Sequence, residues 1–314
     1  MKCLVTGSSG FIGSALVKRL SSEGYKVRGL YHNKEPESKF DNVVYFKGDV
    51  ADIDSLKPAI DGVEVVFHCA ALVRDYGKRN KFLDVNFEGT KNLVMLSKKY
   101  GVKRFIFLSH LDYENVNNFG YYSESKKLAE KYLIEENRYE NFPVIIIQPG
   151  NVYGPGRAVW VLFPLKAIKR HRIALIDKGN GIFLHTYIDN LVDALLKSLK
   201  AEEAIGRIIQ ITDGDNDTRW GDYLNSLAKL AGESSINKNL SKKNAFFIAR
   251  IMIFLNKVFG IKPILSPTAV NILSNQKKVS IKMANEILNY NPVIHYKEGM
   301  MRVEDWLREE GYIN

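Results

Sequence analysis

The sequence predicts an α/β fold: a doubly wound parallel sheet with a smaller C-terminal region closing over the sheet's carboxyl edge. Three observations predict it. Strand-like and helix-like patterns alternate, with short turns, over the first 150 residues, which calls for a parallel sheet covered on both faces. A glycine-rich turn, Thr6-Gly7-Ser8-Ser9-Gly10-Phe11-Ile12-Gly13, joins the first strand-like run to the first helical one. The chain has 314 residues, 46% hydrophobic and 25% charged, an average balance for a folded globular protein. That length suits one large domain or a domain with a smaller partner.

Residues 2–6 are apolar and strand-like, and Ile12, Ala15, Leu16 and Leu20 then repeat at helical spacing. Residues 26–31, 43–46 and 64–68 read as the next strands. A helix is expected over 80–100, a strand over 104–108, and a helix over 122–136, which is rich in good helix formers. Residues 144–148 form a short buried strand stopped by Pro149-Gly150. Parallel strands need crossover connections, and the right-handed crossover rule makes the sheet doubly wound. After Tyr153-Gly154-Pro155-Gly156 the pattern loosens into helical stretches at 159–170, 190–199 and 220–230, with strand-like pieces such as 207–211. Residues 1–156 are therefore expected to bind a dinucleotide and 157–314 mainly a substrate, with some later segments returning to the sheet.

Composition narrows the role. No run of 18 uncharged apolar residues is present, so no spanning helix is expected. The start, Met1-Lys2-Cys3-Leu4-Val5-Thr6-Gly7, enters a strand-like pattern directly, and no signal peptide is expected. Cys3 and Cys69 make neither a disulfide framework nor a metal site, and a reduced, cytoplasmic setting is expected. The formal charge is +10, yet doublets such as Lys98-Lys99 and Lys242-Lys243 do not grow into a basic arm. The charges read as scattered over a solvated surface, and no nucleic-acid role is expected.

In the glycine-rich turn, Gly7 permits the sharp reversal, Gly10 lets the backbone approach a pyrophosphate, and Gly13 lets the helix pack close to the sheet. The helix N–H groups and dipole favour phosphate charge. The second strand should end at the adenosine ribose, where an acid would accept the 2′-hydroxyl and a base would welcome a 2′-phosphate. Here it ends Leu30-Tyr31-His32-Asn33-Lys34, with no acid before Glu35. His32 and Lys34 could meet a phosphate, which favours NADP(H) with NAD(H) still open; Lys34 could equally be a solvated surface residue. Asp49, after the third strand, could accept the adenine amino group or merely cap the next helix.

Tyr122 and Lys126 are four apart and share a helix face. A phenol is a poor base at neutral pH, and a neighbouring ammonium should lower its pKa. Tyr122 then becomes a general acid/base towards an alcohol or ketone, with Lys126 also free to hold a ribose. Tyr121 has no lysine four residues on.

Six ordered motifs now stand together: T-G-S-S-G-F-I-G at 6–13, G-D-V at 48–50, F-H-C-A-A at 67–71, V-N-F-E-G-T-K-N-L at 85–93, Y-S-E-S-K at 122–126 and P-G-N-V-Y-G-P-G at 149–156. With them the chain resembles, over nearly its whole length, the extended short-chain dehydrogenase/reductase superfamily, whose sheet is of the Rossmann type. The resemblance implies that Gly7, Gly10, Gly13, Asp49, Ala70 and Asn86 line the cofactor site and that Tyr122 and Lys126 form the catalytic pair. Ser9, Phe11, Ile12, His32, Val50, Ala71 and Pro149 complete the expected cofactor set. His68 occupies the family's fourth-strand position and is read as structural.

Two departures stand out. Such proteins carry two hydroxyl residues after the fifth strand, whereas this chain has Ser109-His110. Either could donate a hydrogen bond to the substrate oxygen, and Ser109 is taken as the third catalytic residue. Tyr122 follows Ser109 by only 13 residues, a shorter loop than sugar-nucleotide epimerases of the superfamily carry. The run Thr186-Tyr187-Ile188-Asp189-Asn190 looks more like the 3β-hydroxysteroid and sterol dehydrogenase branch, and Ile182 stands where nucleotide-sugar members place an arginine. Residues 246–259 form the most apolar helix-like run. It is read as a packed helix, the alternative being a greasy lid or an interfacial helix beside a hydrophobic substrate, which would allow peripheral membrane contact.

The expected function is NAD(P)-dependent hydride transfer at a secondary alcohol or ketone of a hydrophobic small molecule. A nucleotide-sugar epimerase or dehydratase and a non-catalytic dinucleotide-binding protein are the rivals. A homodimer is expected only by analogy with the superfamily.

Overall fold

The computed structural model describes residues 1–36, 38–111 and 120–314. The first half runs β1 (Lys2–Thr6), α1 (Phe11–Ser22), β2 (Lys26–Tyr31), β3 (Val43–Lys47), α2 (Ile53–Ile60) and β4 (Val65–His68). It continues through α3 (Arg79–Phe82), a π-helical turn (Leu83–Glu88), α4 (Gly89–Lys99), β5 (Arg104–Leu108), α5 (Tyr121–Glu140) and β6 (Val144–Pro149). Next come β7 (Asn151–Tyr153), α6 (Val159–Lys169), β8 (Leu175–Ile176), β9 (His185–Tyr187), α7 (Ile188–Lys197) and β10 (Ile208–Ile211). The remainder is α8 (Trp220–Leu230), β11 (Asn239–Leu240), α9 (Lys242–Phe259), α10 (Pro267–Leu273), α11 (Lys282–Leu288) and α12 (Tyr296–Glu309).

Seven strands form one parallel sheet in the order β10-β6-β5-β4-β1-β2-β3. The order reverses between β1 and β4, so their carboxyl ends frame the crevice where such sheets bind ligands. Thr6 and His68 are register partners at that edge. The strands are buried on both faces, and alternation divides their side chains between two cores. Cys3, Val5, Ile106, Ile145 and Ile147 pack with Leu16 and Leu20 of α1 and Leu191 and Leu195 of α7. Leu4, Phe105, Phe107, Val144 and Ile146 pack with Leu56 of α2 and Leu93 of α4 on the other side.

The expected strand at 207–211 is β10, which extends the main sheet beside β6. Beyond the sheet, β7 pairs with β9 and β8 with β11. A buried polar cluster fastens this region. His185 meets Asp213 through Nδ1 at 2.8 Å and Asp215 through Nε2 at 3.2 Å, and Asp213 also accepts from the Tyr187 N–H and the Asn190 amide. Burial opposes charge on the imidazole, but the two carboxylates outweigh it and raise its pKa.

Two elements differ from the sequence expectation. The helix expected over 80–100 is interrupted by the π-helical turn at Leu83–Glu88, which carries Asn86; such turns recur at functional sites. The apolar run at 246–259 belongs to α9, capped by Ser241 and ended by Gly260 at φ +70°. Its buried residues are Ala245 and Ala249 alone, so a narrow small-residue stripe packs inward and the expected packed helix is largely uncovered. Among the described residues no helix is long and apolar enough to cross a membrane.

Candidate active site

The site is built where β1, β4 and β5 run out. Gly7 turns the chain at φ +69°, and a Cβ there would lie 2.9 Å from the Ala70 Cα. At Gly13 a Cβ would stand 2.1 Å from the Gly7 carbonyl oxygen. The loop is thus folded back onto its own helix with no room for a side chain. Gly10 is the N-cap of α1, with no side-chain cap and no acid in the first turn. Its free N–H groups and helix dipole form a place for an anion. Phe11 lies against Gly156, where a Cβ would meet the ring at 3.2 Å. Ser9 is exposed on the loop and Ile12 is half-buried on the first turn. A glycine cradle under an uncapped helix start suits a dinucleotide pyrophosphate.

At the outer end, His32 Nδ1 stands 3.6 Å from Asp49 Oδ2, both side chains exposed. Asp49 Oδ1 accepts from the Ala51 N–H at 2.9 Å, and Asp52, not Asp49, caps α2. Asp49 therefore lacks the capping role offered as its alternative. Val50 beside it is buried.

A chain of hydrogen bonds crosses from β1 to α5. Ala70 N–H donates to Thr6 Oγ1 at 3.0 Å, and Thr6 Oγ1 meets His68 Nδ1 at 2.8 Å. His68 Nε2 meets Thr90 Oγ1 at 3.0 Å, and that hydroxyl donates to the Asn86 carbonyl. This order places the proton on Nε2, and burial holds the ring well below its ordinary pKa. His68 is a neutral structural bridge. Asn86 accepts from the Leu72 N–H at 2.7 Å and donates to Ser125 Oγ at 2.9 Å; Ser125 in turn donates to the Tyr122 carbonyl. Ala70 and Asn86 are thereby coupled to the helix turn carrying Tyr122, and Ala71 lies in the chain between Ala70 and Leu72, which bonds Asn86.

The β5 exit meets that turn. Lys126, 1% exposed, donates from Nζ to the Leu108 carbonyl at 2.6 Å and lies 3.8 Å from the centre of the Phe107 ring. Burial pulls its ammonium from 10.5 to about 7, against an opposing charge from Glu130 one turn on. The His110 ring packs against Tyr122 with centroids 5.3 Å apart. Ser109 is buried, and its hydroxyl has no hydrogen-bond partner among the described residues. An orphaned buried hydroxyl costs stability, and a substrate oxygen would satisfy it.

The electrostatics differ from the sequence expectation at Tyr122. Burial raises its phenol pKa, and the charges of Glu130 and Asp75 add to the rise. The expected lowering by Lys126 is outweighed, because that amine is itself desolvated and turned to the Leu108 carbonyl. Tyr122 is held protonated.

Sequence reasoning missed Thr6, Thr90, Ser125 and Asp75 as neighbours of the site. Asp75 accepts from Ser266 Oγ at 2.8 Å, and the Gly120 N–H donates to Thr268 Oγ1 at 3.0 Å, so α10 borders the site. Thr6, Thr90 and Ser125 lie inside the motifs quoted above, which did not show what they bond; the Asp75 and Gly120 contacts join residues more than a hundred positions apart and have no local mark. Pro149 ends β6, and its carbonyl accepts from the Leu111 N–H. Ile182 is 2% exposed and packs with Leu111, Leu184 and Val279. The short loop after Ser109 falls largely on residues 112–119, outside the described residues.

The doubly wound sheet, the glycine cradle at its switch point and the Tyr122–Lys126 pair define the class: an extended short-chain dehydrogenase/reductase, an NAD-dependent oxidoreductase. Residues 3–212 match the NAD dependent epimerase/dehydratase family, and the chain belongs to it. The sterol-4-alpha-carboxylate 3-dehydrogenase, decarboxylating, of Mus musculus is 26% identical over 327 residues, covering 96% of this chain and 89% of that protein. The 2-alkyl-3-oxoalkanoate reductase of Stenotrophomonas maltophilia is 26% identical over 330 residues, covering 97% and 98%. In fold, the chain matches the UDP-glucose 4-epimerase of Thermotoga maritima with TM-score 0.79 and 22% identity, covering 99% of each. The UDP-glucuronic acid 4-epimerase of Bacillus cereus, in complex with NAD, matches with TM-score 0.76 and 21% identity, again over 99% of each.

Proposed function

We propose that the protein interconverts a secondary alcohol and a ketone on a hydrophobic small molecule, with Ser109, Tyr122 and Lys126 as its catalytic residues. The observation that carries this is the buried Ser109 hydroxyl, without a hydrogen-bond partner among the described residues and adjacent in the chain to His110, whose ring packs on Tyr122. Gly7, Ser9, Gly10, Phe11, Ile12 and Gly13 would hold the cofactor pyrophosphate, and His32, Asp49 and Val50 its adenosine end. Ala70, Ala71, Asn86, Pro149, Tyr122 and Lys126 would border its nicotinamide end. When bound, the dinucleotide supplies or accepts the hydride exchanged at the substrate carbon. Ser109 donates a hydrogen bond to the substrate oxygen and orients it. Tyr122, held protonated, gives its proton to that oxygen in the reductive direction and recovers it in the other. Lys126 binds the ribose.

The apolar reading is supported by Ile182, which is locked in a packed cluster where an anion-binding arginine would otherwise stand. The compounds in the names of the sterol-4-alpha-carboxylate 3-dehydrogenase and the 2-alkyl-3-oxoalkanoate reductase each combine a hydrophobic skeleton with an oxygen on the carbon next to a carboxylate-bearing one. Hydrophobic 3-hydroxy acids are therefore the first probes, beside plain ketones and alcohols. A thermal-shift screen with cofactor present tests this. Stabilisation by UDP- or dTDP-sugars, and none by the hydrophobic probes, overturns it in favour of a nucleotide-sugar epimerase.

The same proposal includes NADP(H) binding at least as tightly as NAD(H), since no acid precedes Glu35 at the β2 exit. A tenfold preference for NAD(H), about 1.4 kcal/mol, refutes it. A cytoplasmic setting, supported by the free cysteines Cys3 and Cys69, a homodimer and the division near residue 156 belong to this reading too.

A further inference from the structure

Helix α9 presents an uncovered apolar stripe. Phe247, Ile251, Phe254 and Val258 are 66%, 43%, 61% and 55% exposed. Their spacings of four, three and four residues put them on one helix face. Phe259, Ile261 and Ile264, just beyond the helix end, are exposed as well. The opposite stripe, Ala245 and Ala249, packs on Ile176 and on Val270 of α10. Large exposed aromatic and β-branched side chains in one row mark an interaction surface.

The charge around it is one-sided. Residues 234–285 hold nine of the chain's Lys and Arg and no Asp or Glu, while the rest of the chain carries 36 basic residues against 35 acidic. Nearly the whole excess of +10 therefore lies in this one segment, which corrects the impression of scattered charge. Lys242, Lys243, Arg250, Lys257 and Lys262 are all exposed on or beside α9, and Arg250 and Lys257 flank the apolar row.

We infer that this face of α9 docks on the surface of an anionic lipid bilayer, the phenyl and aliphatic groups entering the acyl boundary and the basic residues meeting lipid phosphates. An apolar stripe edged by cations, on a helix too polar to span, is the pattern of an in-plane interfacial helix. A second copy of the chain is the poorer occupant, because a two-fold contact would set the basic residues along α9, Lys242, Lys243, Arg250, Lys257 and Lys262, against their own copies. The surface also leads to the site: α9 packs on α10, whose Ser266 and Thr268 bond Asp75 and Gly120 beside Tyr122. Delivery of substrate from the bilayer rests on the apolar-substrate reading; docking itself does not.

The test is co-sedimentation of the full chain, without substrate, with vesicles of phosphatidylcholine alone or mixed equally with phosphatidylglycerol. We expect partitioning to favour the anionic vesicles by about tenfold or more and to weaken with salt. Phe247→Ser/Phe254→Ser, at exposed positions, should lose that binding while keeping its melting temperature and cofactor affinity. Arg250→Gln/Lys257→Gln should lose the preference for anionic lipid. Equal binding to both vesicles, or unchanged binding by the Phe247→Ser/Phe254→Ser variant, overturns the inference. So does a wild-type dimer that ignores vesicles and becomes monomeric in that variant. Turnover of a water-soluble ketone, measured apart, reports on the proposed function, so either reading fails without the other.

Discussion

Lys126→Met removes an amine that the fold buries to 1% exposure. In the folded protein its pKa falls from 10.5 to about 7, mainly through burial. Between those pH values the unfolded chain binds the proton and the folded chain does not, so stability rises with pH across the window. The cost of the buried ammonium is fully present below about pH 7 and gone above 10.5. At 1.36 kcal/mol per pH unit it amounts to at most about 5 kcal/mol. The variant also loses the donor to the Leu108 carbonyl, at about 1 kcal/mol. We expect Lys126→Met to be more stable than wild type by about 3 kcal/mol at pH 7, with the advantage vanishing by pH 10. Its cofactor affinity and turnover should both fall. Urea unfolding of the cofactor-free proteins at steps from pH 7 to 10 measures this. A variant less stable than wild type at pH 7, with parallel pH slopes, refutes the burial argument.

Three further outcomes follow from the same geometry. Tyr122→Phe deletes only the phenolic oxygen, so turnover should fall by about 10²-fold or more while a cofactor titration is unchanged. Ser109→Ala should lower turnover by about 10²-fold and leave stability unchanged or slightly raised, because the deleted hydroxyl has no partner among the described residues; full activity would transfer the role to His110. Gly13→Ala places a Cβ 2.1 Å from the Gly7 carbonyl, so we expect a loss of about 1–3 kcal/mol and weakened cofactor binding; an unchanged melting temperature and affinity would show that the loop yields freely.

A phenol held protonated and an amine drawn towards neutrality change how the proposed catalytic pair would work. With its phenol raised, Tyr122 begins as an acid, and a ketone oxygen needs that proton when it is reduced. Lys126 sits under the same burial and bonds the Leu108 carbonyl, the last of β5, immediately before Ser109. Any cation or anion brought close to the pair will shift both titrations together. A bell-shaped pH profile of turnover would then report the pair, not either residue alone.

The amino-acid order determined the alternation of strands and helices, the glycine turn and the placing of Tyr122 and Lys126 on one helix face. These are local properties: periodicity, missing side chains and a spacing of four act over a few residues. The tertiary structure alone decided what surrounds them. Ser109 is buried just past β5 with no partner for its hydroxyl among the described residues, and Asn86 reaches Ser125 across 39 residues of chain. The His185–Asp213 contact forms only when β9 and the β10 exit come together. The Lys126 and Tyr122 pKa values follow burial, which outweighs the neighbouring charge that their spacing implied. The apolar run at 246–259 shows the same division. Its hydrophobicity was legible as a helix, but hydrophobicity does not say which face is covered, and only the packing of Ala245 and Ala249 left the Phe247–Phe254 side open.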